Sequence, residues 1–359
     1  MTAVMSAVLL MGHGGTDQLL YRDGIAVPTP GSDEVLIHVR AAGVNNTDIN
    51  MRVGWYSEAM TAGTADVVAS PPTAEGTQDG AWTGGTVAFP LIQGADVCGV
   101  ISATGANVPA SRIGQRVLVD PVLRNRTVAG GIRTLYLGSD CNGGFAEYLC
   151  VPAINAYAVD SSLGDSDLAS FPCSYSAAEN MLTRADVRAG ETVLVTGASG
   201  GVGSAAVQLA KRRNANVIAL AAAPKAAQVE RLGASRVLPR DVDLAGVLGR
   251  ESVQVVVDVV GGPNFGGLLD ILRVGGRYAV AGAIAGPIVD LDLRKLYLKD
   301  LCFFGCTIPE PDVFPNLVGY IERHEIEAVV SSTYPLSDIA SAQREFLAKQ
   351  HTGKIVLQP

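Results

Sequence analysis

Apolar positions in the middle of the chain alternate between short strand-like runs and helical spacing. Thr192 to Thr196 is a β-branched apolar run that stops at a glycine cluster, and an alanine-rich segment with helical spacing follows from Ser204 to Arg213. A second apolar run, Val217 to Leu220, comes next. A strand, a tight glycine turn, a helix and a strand in this order predict one βαβ unit.

The same alternation continues beyond this unit. The further apolar runs are Arg236 to Leu238, Val253 to Val259, Gly276 to Ala281 and Cys302 to Thr307. Together with the first two they predict six strands in one doubly wound parallel sheet, which is a Rossmann arrangement of the α/β class.

The first part of the chain, up to about residue 155, has a different pattern. Its apolar runs are short and are separated by Gly, Pro, Asn and Asp, as in Glu34 to Ala41, Ala95 to Ala103, Arg116 to Val119 and Ala146 to Val151. This spacing predicts a partly open β-barrel. Within it, Met60 to Gly85 has little periodicity and is long enough for a lid or mobile loop, with disorder as the alternative.

The end of the chain returns to the barrel pattern. An amphipathic helix is predicted over Val313 to Arg323, followed by the short apolar runs Ala328 to Ser331 and Lys354 to Leu357. We therefore expect the tail to rejoin the first domain.

The glycine cluster predicts a dinucleotide site, with an ordinary loop as the alternative. It matches the string A-x-G-x-x-G, in which Gly200 lets the backbone approach a pyrophosphate and Gly203 lets the helix pack on the strand. The N–H groups at the start of the helix then face the phosphates. The residues expected to bind are Ala198, Ser199, Gly200, Gly201, Val202 and Gly203.

The end of the second strand indicates which dinucleotide is bound. An acidic residue there would bind the ribose 2′-OH of NAD, but this chain has the small neutral Ala221 and, shortly after it, Lys225. Arg240, after the third strand, could add a second cation for a 2′-phosphate. This combination favours NADPH. The alternative is that both cations are solvated surface residues.

Composition and charge limit the other functions. The chain has 359 residues, enough for two domains, and 48% of them are hydrophobic. A net charge of −8 and the absence of a Lys/Arg-rich run argue against a nucleic-acid partner. None of the six cysteines forms a C-x-x-C pair, which favours a reduced cytoplasmic setting. No apolar stretch of membrane-spanning length is uninterrupted by glycine, proline or charge.

The chain resembles the medium-chain dehydrogenase/reductase family, in its zinc-free quinone oxidoreductase-like branch. The resemblance is carried by AGVNNTD at 42–48 with RVGWY at 52–56, GADVCGV at 94–100, GGFAEY at 143–148, the glycine turn, and GKIVL at 353–357. It implies a GroES-like β-barrel domain made of residues 1–157 and 310–359, and a Rossmann NADP(H)-binding domain of residues 158–309. It also implies a homodimer with the active site in the cleft between the domains.

The resemblance bears on the metal as well. The positions that match the catalytic zinc ligands of related alcohol dehydrogenases hold Asn45, Ala95 and Cys173. Alanine cannot coordinate zinc and an amide is a poor ligand for it, so we expect no metal site. Cys173 is then a packed thiol or a residue that contacts substrate.

Without zinc, reduction of an activated C=C bond is easier chemistry than oxidation of a simple alcohol. We expect Asn45 and Tyr56 to donate hydrogen bonds to the carbonyl oxygen of an enone or quinone, and Thr47 matches a relay hydroxyl of the zinc enzymes. As structural alternatives, Tyr56 would be a rim aromatic and Asn45 a turn residue. Asp258 and the segment Gly282, Ala283 and Ile284 are expected to border the nicotinamide.

Two other functions stay open from the sequence. One is a zinc-free alcohol dehydrogenase, which would need a base that the motifs do not provide. The other is an NADPH-binding protein with a structural or sensing role. A departure from the family pattern is Glu179, where a tyrosine is usual; its carboxylate is interpreted as a specificity element near the nicotinamide or as a helix cap.

Overall fold

The fold was analysed in a computed structural model, which describes residues 3–71, 80–82, 86–128 and 131–359. The strands are β1 (Val4–Leu10), β2 (Leu19–Ala26), β3 (Glu34–Gly43), β4 (Asp96–Thr104), β5 (Arg116–Val119), β6 (Val122–Val128), β7 (Gly131–Tyr136), β8 (Tyr148–Pro152), β9 (Ala156–Ala158), β10 (Thr192–Val195), β11 (Asn216–Leu220), β12 (Arg236–Leu238), β13 (Val253–Asp258), β14 (Leu272–Val280), β15 (Cys302–Gly305), β16 (Val330–Pro335) and β17 (Lys354–Gln358).

The helices complete the description. They are α1 (Asn46–Arg52), α2 (Thr64–Ala69), α3 (Asp165–Leu168), α4 (Pro172–Arg184), α5 (Gly201–Arg212), α6 (Ala226–Leu232), α7 (Leu244–Leu248), α8 (Phe265–Ile271), α9 (Leu293–Leu298), α10 (Val313–Glu322) and α11 (Ile339–Ala348).

The predicted doubly wound sheet is confirmed. Six parallel strands lie in the order β12-β11-β10-β13-β14-β15. Successive strands are added on one side of β10 up to β12 and on its other side from β13 onward, so the strand order reverses between β10 and β13. The central strands are buried almost throughout, because helices cover both faces of a parallel sheet; this is why they are continuous apolar runs in the sequence. The ligand crevice of such a sheet lies at the carboxyl ends of the strands where the order reverses.

The GroES-like part is built around a second sheet. Its strands follow the order β16-β17-β3-β4-β5-β9, and β8 also pairs with β3. The tail rejoins the first domain as expected, because β17 pairs antiparallel with β3 through Val356–Gly43 and Leu357–Ala42. The domain boundaries themselves stay a prediction.

Several predicted strand limits are shifted in the structure. The run Ala146–Val151 is observed as β8 from Tyr148, and Ala328–Ser331 as β16 from Val330, whereas Arg116–Val119 and Arg236–Leu238 are observed unchanged. Strand ends depend on which neighbours offer hydrogen bonds, and short-range patterns do not contain that information.

The expected lid or loop Met60–Gly85 is described in part. Its first section contains α2, and Thr64 N donates a hydrogen bond to Ile284 O at 3.0 Å, so this section contacts the Rossmann domain. Residues 72–79 and 83–85 lie outside the described residues. Among the described residues, no helix has both the length and the apolar character needed to span a membrane.

Candidate active site

The glycine turn joins the end of β10 to the start of α5 through very close contacts. Gly197 has a φ of +57°, which a residue with a Cβ adopts only with strain. A Cβ added at Gly203 would lie 2.2 Å from Gly197 O and 2.7 Å from Ala198 Cα. Only glycine at 203 therefore lets α5 approach the strand this closely. The reason given for this glycine from the sequence agrees with the packing.

The start of α5 has the features of a pyrophosphate site. Gly200 is its N-cap, and a Cβ there would meet only Gly197 O, at 3.5 Å, so ligand atoms can approach the backbone. The first N–H groups of a helix have no intrahelical partner and face a negatively charged ligand favourably. Ala198 is fully buried and its N–H binds Leu220 O, so it shapes the turn from beneath. Ser199 O accepts a hydrogen bond from Gly353 N at 2.9 Å.

The two cations predicted to bind a 2′-phosphate lie near each other. The pKa of Lys225 is lowered, first by burial and then by the charge of Arg240, so the two charges interact. Arg240 is exposed, and Ala221 is buried beside the end of β12 through its N–H to Leu238 O. Lys225 Nζ donates to Lys349 O at 2.7 Å and to His351 O at 2.6 Å, which the sequence did not indicate.

Asp258 requires a correction to its predicted role. It is fully buried, and its carboxylate accepts hydrogen bonds from Thr196 Oγ1, Tyr278 OH, Val260 N and Gly261 N. It therefore holds the turn after β13 in place and exposes no oxygen to a cofactor.

The turn fixed by Asp258 packs against the segment Gly282–Ile284, as Ala285 N donates to Val260 O at 2.9 Å. That segment is half-buried and accepts the contact from Thr64. It lies at the carboxyl edge of the sheet, where the sequence analysis expected the nicotinamide.

A buried ion pair lies in what we call the catalytic part of the site, the region that contains Asn45, Thr47, Tyr56, Asp96, Cys173 and Lys354. Lys354 Nζ is 2.7 Å from Asp96 Oδ2 and donates to Asn45 Oδ1 at 2.5 Å and to Val44 O at 2.9 Å. The other oxygen, Asp96 Oδ1, accepts from Cys173 N at 2.6 Å. The Lys354 ammonium, the Asp96 carboxylate and the Asn45 amide thus satisfy one another's hydrogen bonds, as a buried charge pair requires.

Asn45 requires a second correction. Its Nδ2 donates to Asp96 Oδ2 at 2.7 Å and to Gly43 O at 3.4 Å, and its Oδ1 accepts from Lys354. Both amide hydrogens therefore already point to protein oxygens, and one of these is a carboxylate. Asn45 holds the site together and is not a ready donor to a substrate.

Tyr56 and Thr47 form a hydroxyl pair in the same region. Tyr56 OH donates to Thr47 Oγ1 at 3.0 Å, and both residues are half-buried. Burial raises the pKa of Tyr56 to about 12, so the phenol is protonated at neutral pH. The pair has the protonation state of a hydrogen-bond donor with a relay partner.

Cys173 completes this region. Its thiol is 3.0 Å from Tyr136 OH, and burial together with the charge of Asp96 raises its pKa to about 12. A thiol with such a pKa is a weak nucleophile at neutral pH. Among the described residues, no three His, Cys, Asp or Glu side chains group together in a way that would hold a metal ion.

The sequence reasoning missed four residues that shape this site. Asp96 and Lys354 lie within motifs that carried the resemblance, but they were not singled out. Tyr136 and Trp82, whose ring centroids are 4.4 Å apart, come from segments without a recognisable motif. An acid beside the expected ligand position Ala95 and a lysine in an apolar strand were the available signals.

Glu179 is neither near the nicotinamide edge nor a helix cap. Its carboxylate is buried and binds the Arg213 guanidinium through two hydrogen bonds of 2.7 and 2.8 Å, and Tyr320 OH lies 3.3 Å from it. This pair joins α4 to the residue after α5. The interpretation of Glu179 as a specificity element or a cap is therefore wrong.

Comparisons with known proteins agree with this arrangement. The protein-family model described as "Zinc-binding dehydrogenase" matches residues 201–323, and the one described as "Alcohol dehydrogenase GroES-like domain" matches residues 31–161. A solved Sinorhizobium meliloti protein described as an alcohol dehydrogenase is 45% identical, with a TM-score of 0.86 over 99% of this chain and 97% of that one.

Two curated relatives extend over nearly the whole chain. Human quinone oxidoreductase is 28% identical over 99% of this chain and 98% of its own length. The acryloyl-coenzyme A reductase of Metallosphaera sedula is 28% identical over 98% of this chain and 99% of its own length.

Proposed function

The chain belongs to the medium-chain dehydrogenase/reductase family, in its quinone oxidoreductase-like branch, and we propose that it reduces activated C=C bonds with NADPH and without zinc. It is an oxidoreductase that uses a nicotinamide cofactor. The substrates in this proposal are α,β-unsaturated carbonyl compounds or quinones. Both the quinone reductase and the acryloyl-coenzyme A reductase among its relatives are named for substrates of this kind.

The preference for NADPH rests on charge at the end of β11. Ala221 is small and neutral there, and Lys225 and Arg240 lie close enough for the charge of one to lower the pKa of the other. Two like charges held together are favoured when an anion with two negative charges lies between them. The 2′-phosphate would replace the backbone carbonyls that Lys225 now contacts.

The observation that best supports a reaction without zinc is that both polar atoms of the Asn45 side chain already have hydrogen-bond partners. Its amide oxygen is 2.5 Å from the Lys354 ammonium, so this position presents a cation where a ligand to Zn²⁺ would be needed. Ala95 adds no ligand, which leaves Cys173 as the only one of the three matching positions with a side chain that zinc prefers. The site therefore stabilises negative charge on a substrate through hydrogen-bond donors.

In the proposed reaction, the glycine turn at 197–203 would hold NADPH, which would supply a hydride to the β-carbon of the substrate. Negative charge then develops on the carbonyl oxygen, and Tyr56 OH turns its one hydrogen from Thr47 Oγ1 to this oxygen. Collapse of the enolate takes one proton onto the α-carbon, from Tyr56 or from water, and the tyrosine recovers its proton from solvent through Thr47. The pKa of Tyr56, about 12, keeps this proton in place until the enolate forms.

The experiment that tests this proposal is a paired titration of NADPH and NADH by quenching of protein fluorescence. We expect tighter binding of NADPH in the wild type and loss of that preference in Lys225→Ala/Arg240→Ala. Arg240→Ala alone is the control, because Lys225 also holds two carbonyls. Equal or tighter binding of NADH by the wild type would overturn the phosphate pocket.

The same protein is then tested for oxidation of NADPH by enones and quinones, and for reduction of NADP with alcohols. The second reaction is the alternative function, favoured by the 45% identical relative described as an alcohol dehydrogenase. Cofactor binding without either reaction would favour a structural or sensing role.

We also propose a homodimer formed through the open edge of the Rossmann sheet. β15 is the last strand of this sheet, and Phe303 on it is partly exposed. Leu293, Tyr297 and Leu298 of α9 are each more than 60% exposed. An apolar face beside an open strand edge is a typical association surface.

Light scattering is expected to give the mass of a dimer for the wild type and of a monomer for Phe303→Glu. A monomeric wild type would overturn the proposed dimer.

For the compartment we propose the cytoplasm, since Cys98, Cys150, Cys173, Cys302 and Cys306 carry no disulfide.

A further inference from the structure

Tyr136 lies in the catalytic part and has no assigned role. It ends β7, and its ring packs against Trp82 with centroids 4.4 Å apart. The backbone behind it is fixed, because Tyr136 N donates to Asp140 Oδ2 at 2.8 Å and Asp140 N donates to Tyr136 O at 2.9 Å. The residue is 7% exposed. Its hydroxyl is therefore held in one place by a rigid turn.

The hydroxyl of Tyr136 points to the Cys173 thiol. It is 3.0 Å from Cys173 Sγ. Burial raises the pKa of Tyr136 well above its usual value, and Cys173, Asp96 and Tyr56 each raise it further. The pKa of Tyr56 is in turn affected by Cys173. Trp82 packs both with the apolar cluster that includes Tyr56 and with the one that includes Tyr136 and Cys173, so the two protonated phenols lie in the same region.

The present partner of Tyr136 OH is easily exchanged. If the phenol donates to sulfur, its acceptor is a weak one; if the thiol donates, the phenol hydrogen is not used in that contact. Asn45 differs, because it would have to leave the Asp96 carboxylate, and charge-assisted hydrogen bonds are about twice as strong as neutral ones. A developing enolate oxygen can therefore attract the hydrogen of Tyr136 at much lower cost.

We propose that the Tyr136 hydroxyl is a second hydrogen-bond donor to the carbonyl oxygen of the substrate and acts together with Tyr56. This inference rests on the proposed function. It gives the site two neutral phenol donors in place of the expected pair of Tyr56 and Asn45. Because each is a phenol with a high pKa, neither loses its proton before charge develops on the substrate.

The test compares Tyr136→Phe and Tyr56→Phe with the control Tyr157→Phe, whose ring packs on Phe314 in another part of the molecule. With NADPH and cinnamaldehyde as substrate, each of the first two variants is expected to lose about 100-fold in kcat, the effect of removing one donor from an oxyanion site. KM and the Kd of NADPH should change by less than about threefold. The control should match the wild type.

A second readout does not depend on turnover. Cinnamaldehyde labelled with ¹³C at the carbonyl is bound to the protein with NADP, and its carbonyl stretch is measured by infrared difference spectroscopy. The wild type is expected to lower the frequency, and Tyr136→Phe to restore part of the shift. An unchanged frequency and kcat in Tyr136→Phe would overturn the role of Tyr136. A wild type that binds the probe but reduces neither enones nor quinones would overturn the proposed function alone.

Discussion

The cofactor part and the catalytic part of the cleft are built in opposite ways. The cofactor part comes from one continuous stretch, and backbone atoms shape it: Gly197, Gly200 and Gly203 lie within seven residues. The catalytic part comes from side chains far apart in the sequence, such as Asn45 and Lys354, which are 309 residues apart. A local backbone site can be read from one motif, whereas the contacts within a site assembled by folding cannot.

The largest expected effect is a loss of stability when the side-chain network around Lys354 is broken. Lys354→Met leaves the buried Asp96 carboxylate without its cation, and removing one partner of a buried pair lowers the free energy of unfolding by about 3–5 kcal/mol. Urea unfolding measures this. Lys211→Met, on an exposed lysine in the last turn of α5, is the control and should change stability by less than about 1 kcal/mol. Equal effects of the two changes would show that the network adds no particular stability.

A smaller effect is expected when the backbone site is overpacked. Gly203→Ala places a Cβ 2.2 Å from Gly197 O, and such crowding costs about 1–3 kcal/mol of unfolding free energy. It should also weaken NADPH binding, because α5 is displaced from the strand. Gly267→Ala in α8 is the matched control: a Cβ there meets nothing within 4 Å, and stability should rise slightly. Unchanged cofactor affinity in Gly203→Ala would contradict the close-packing account.

The smallest expected effect concerns Asp48, which accepts a hydrogen bond from Asn45 N at 2.7 Å. Burial raises the pKa of Asp48 from 3.8 to about 7. The folded state therefore keeps a proton that the unfolded state releases, so this group makes stability fall as the pH rises from about 4 to about 7.

Asp48→Asn removes that dependence. Between pH 6 and pH 8 its free energy of unfolding should gain on the order of 1 kcal/mol relative to the wild type. Urea unfolding at several pH values measures this difference, with the exposed Asp290→Asn as control. A difference between Asp48→Asn and the wild type that stays constant with pH would be inconsistent with a raised pKa.

The same contrast explains how far the sequence could predict the molecule. The six-stranded sheet and the close contact at Gly203 were predictable, since buried parallel strands and tight turns have strong local patterns. The structural role of Asn45 was not predictable, because its amide binds Asp96 and Lys354, which only folding brings near it. Glu179 was misread for the same reason: its partner Arg213 lies 34 residues away.

The central claim is that hydride reaches the β-carbon of an enone. It is tested most directly with NADPH deuterated at C4 on the transferred face, using cinnamaldehyde and locating the label in the product by NMR. Both faces of the cofactor are labelled in separate runs. The account predicts deuterium on the β-carbon of a saturated aldehyde. Deuterium on the carbinol carbon of an unsaturated alcohol would contradict it and identify a carbonyl reductase.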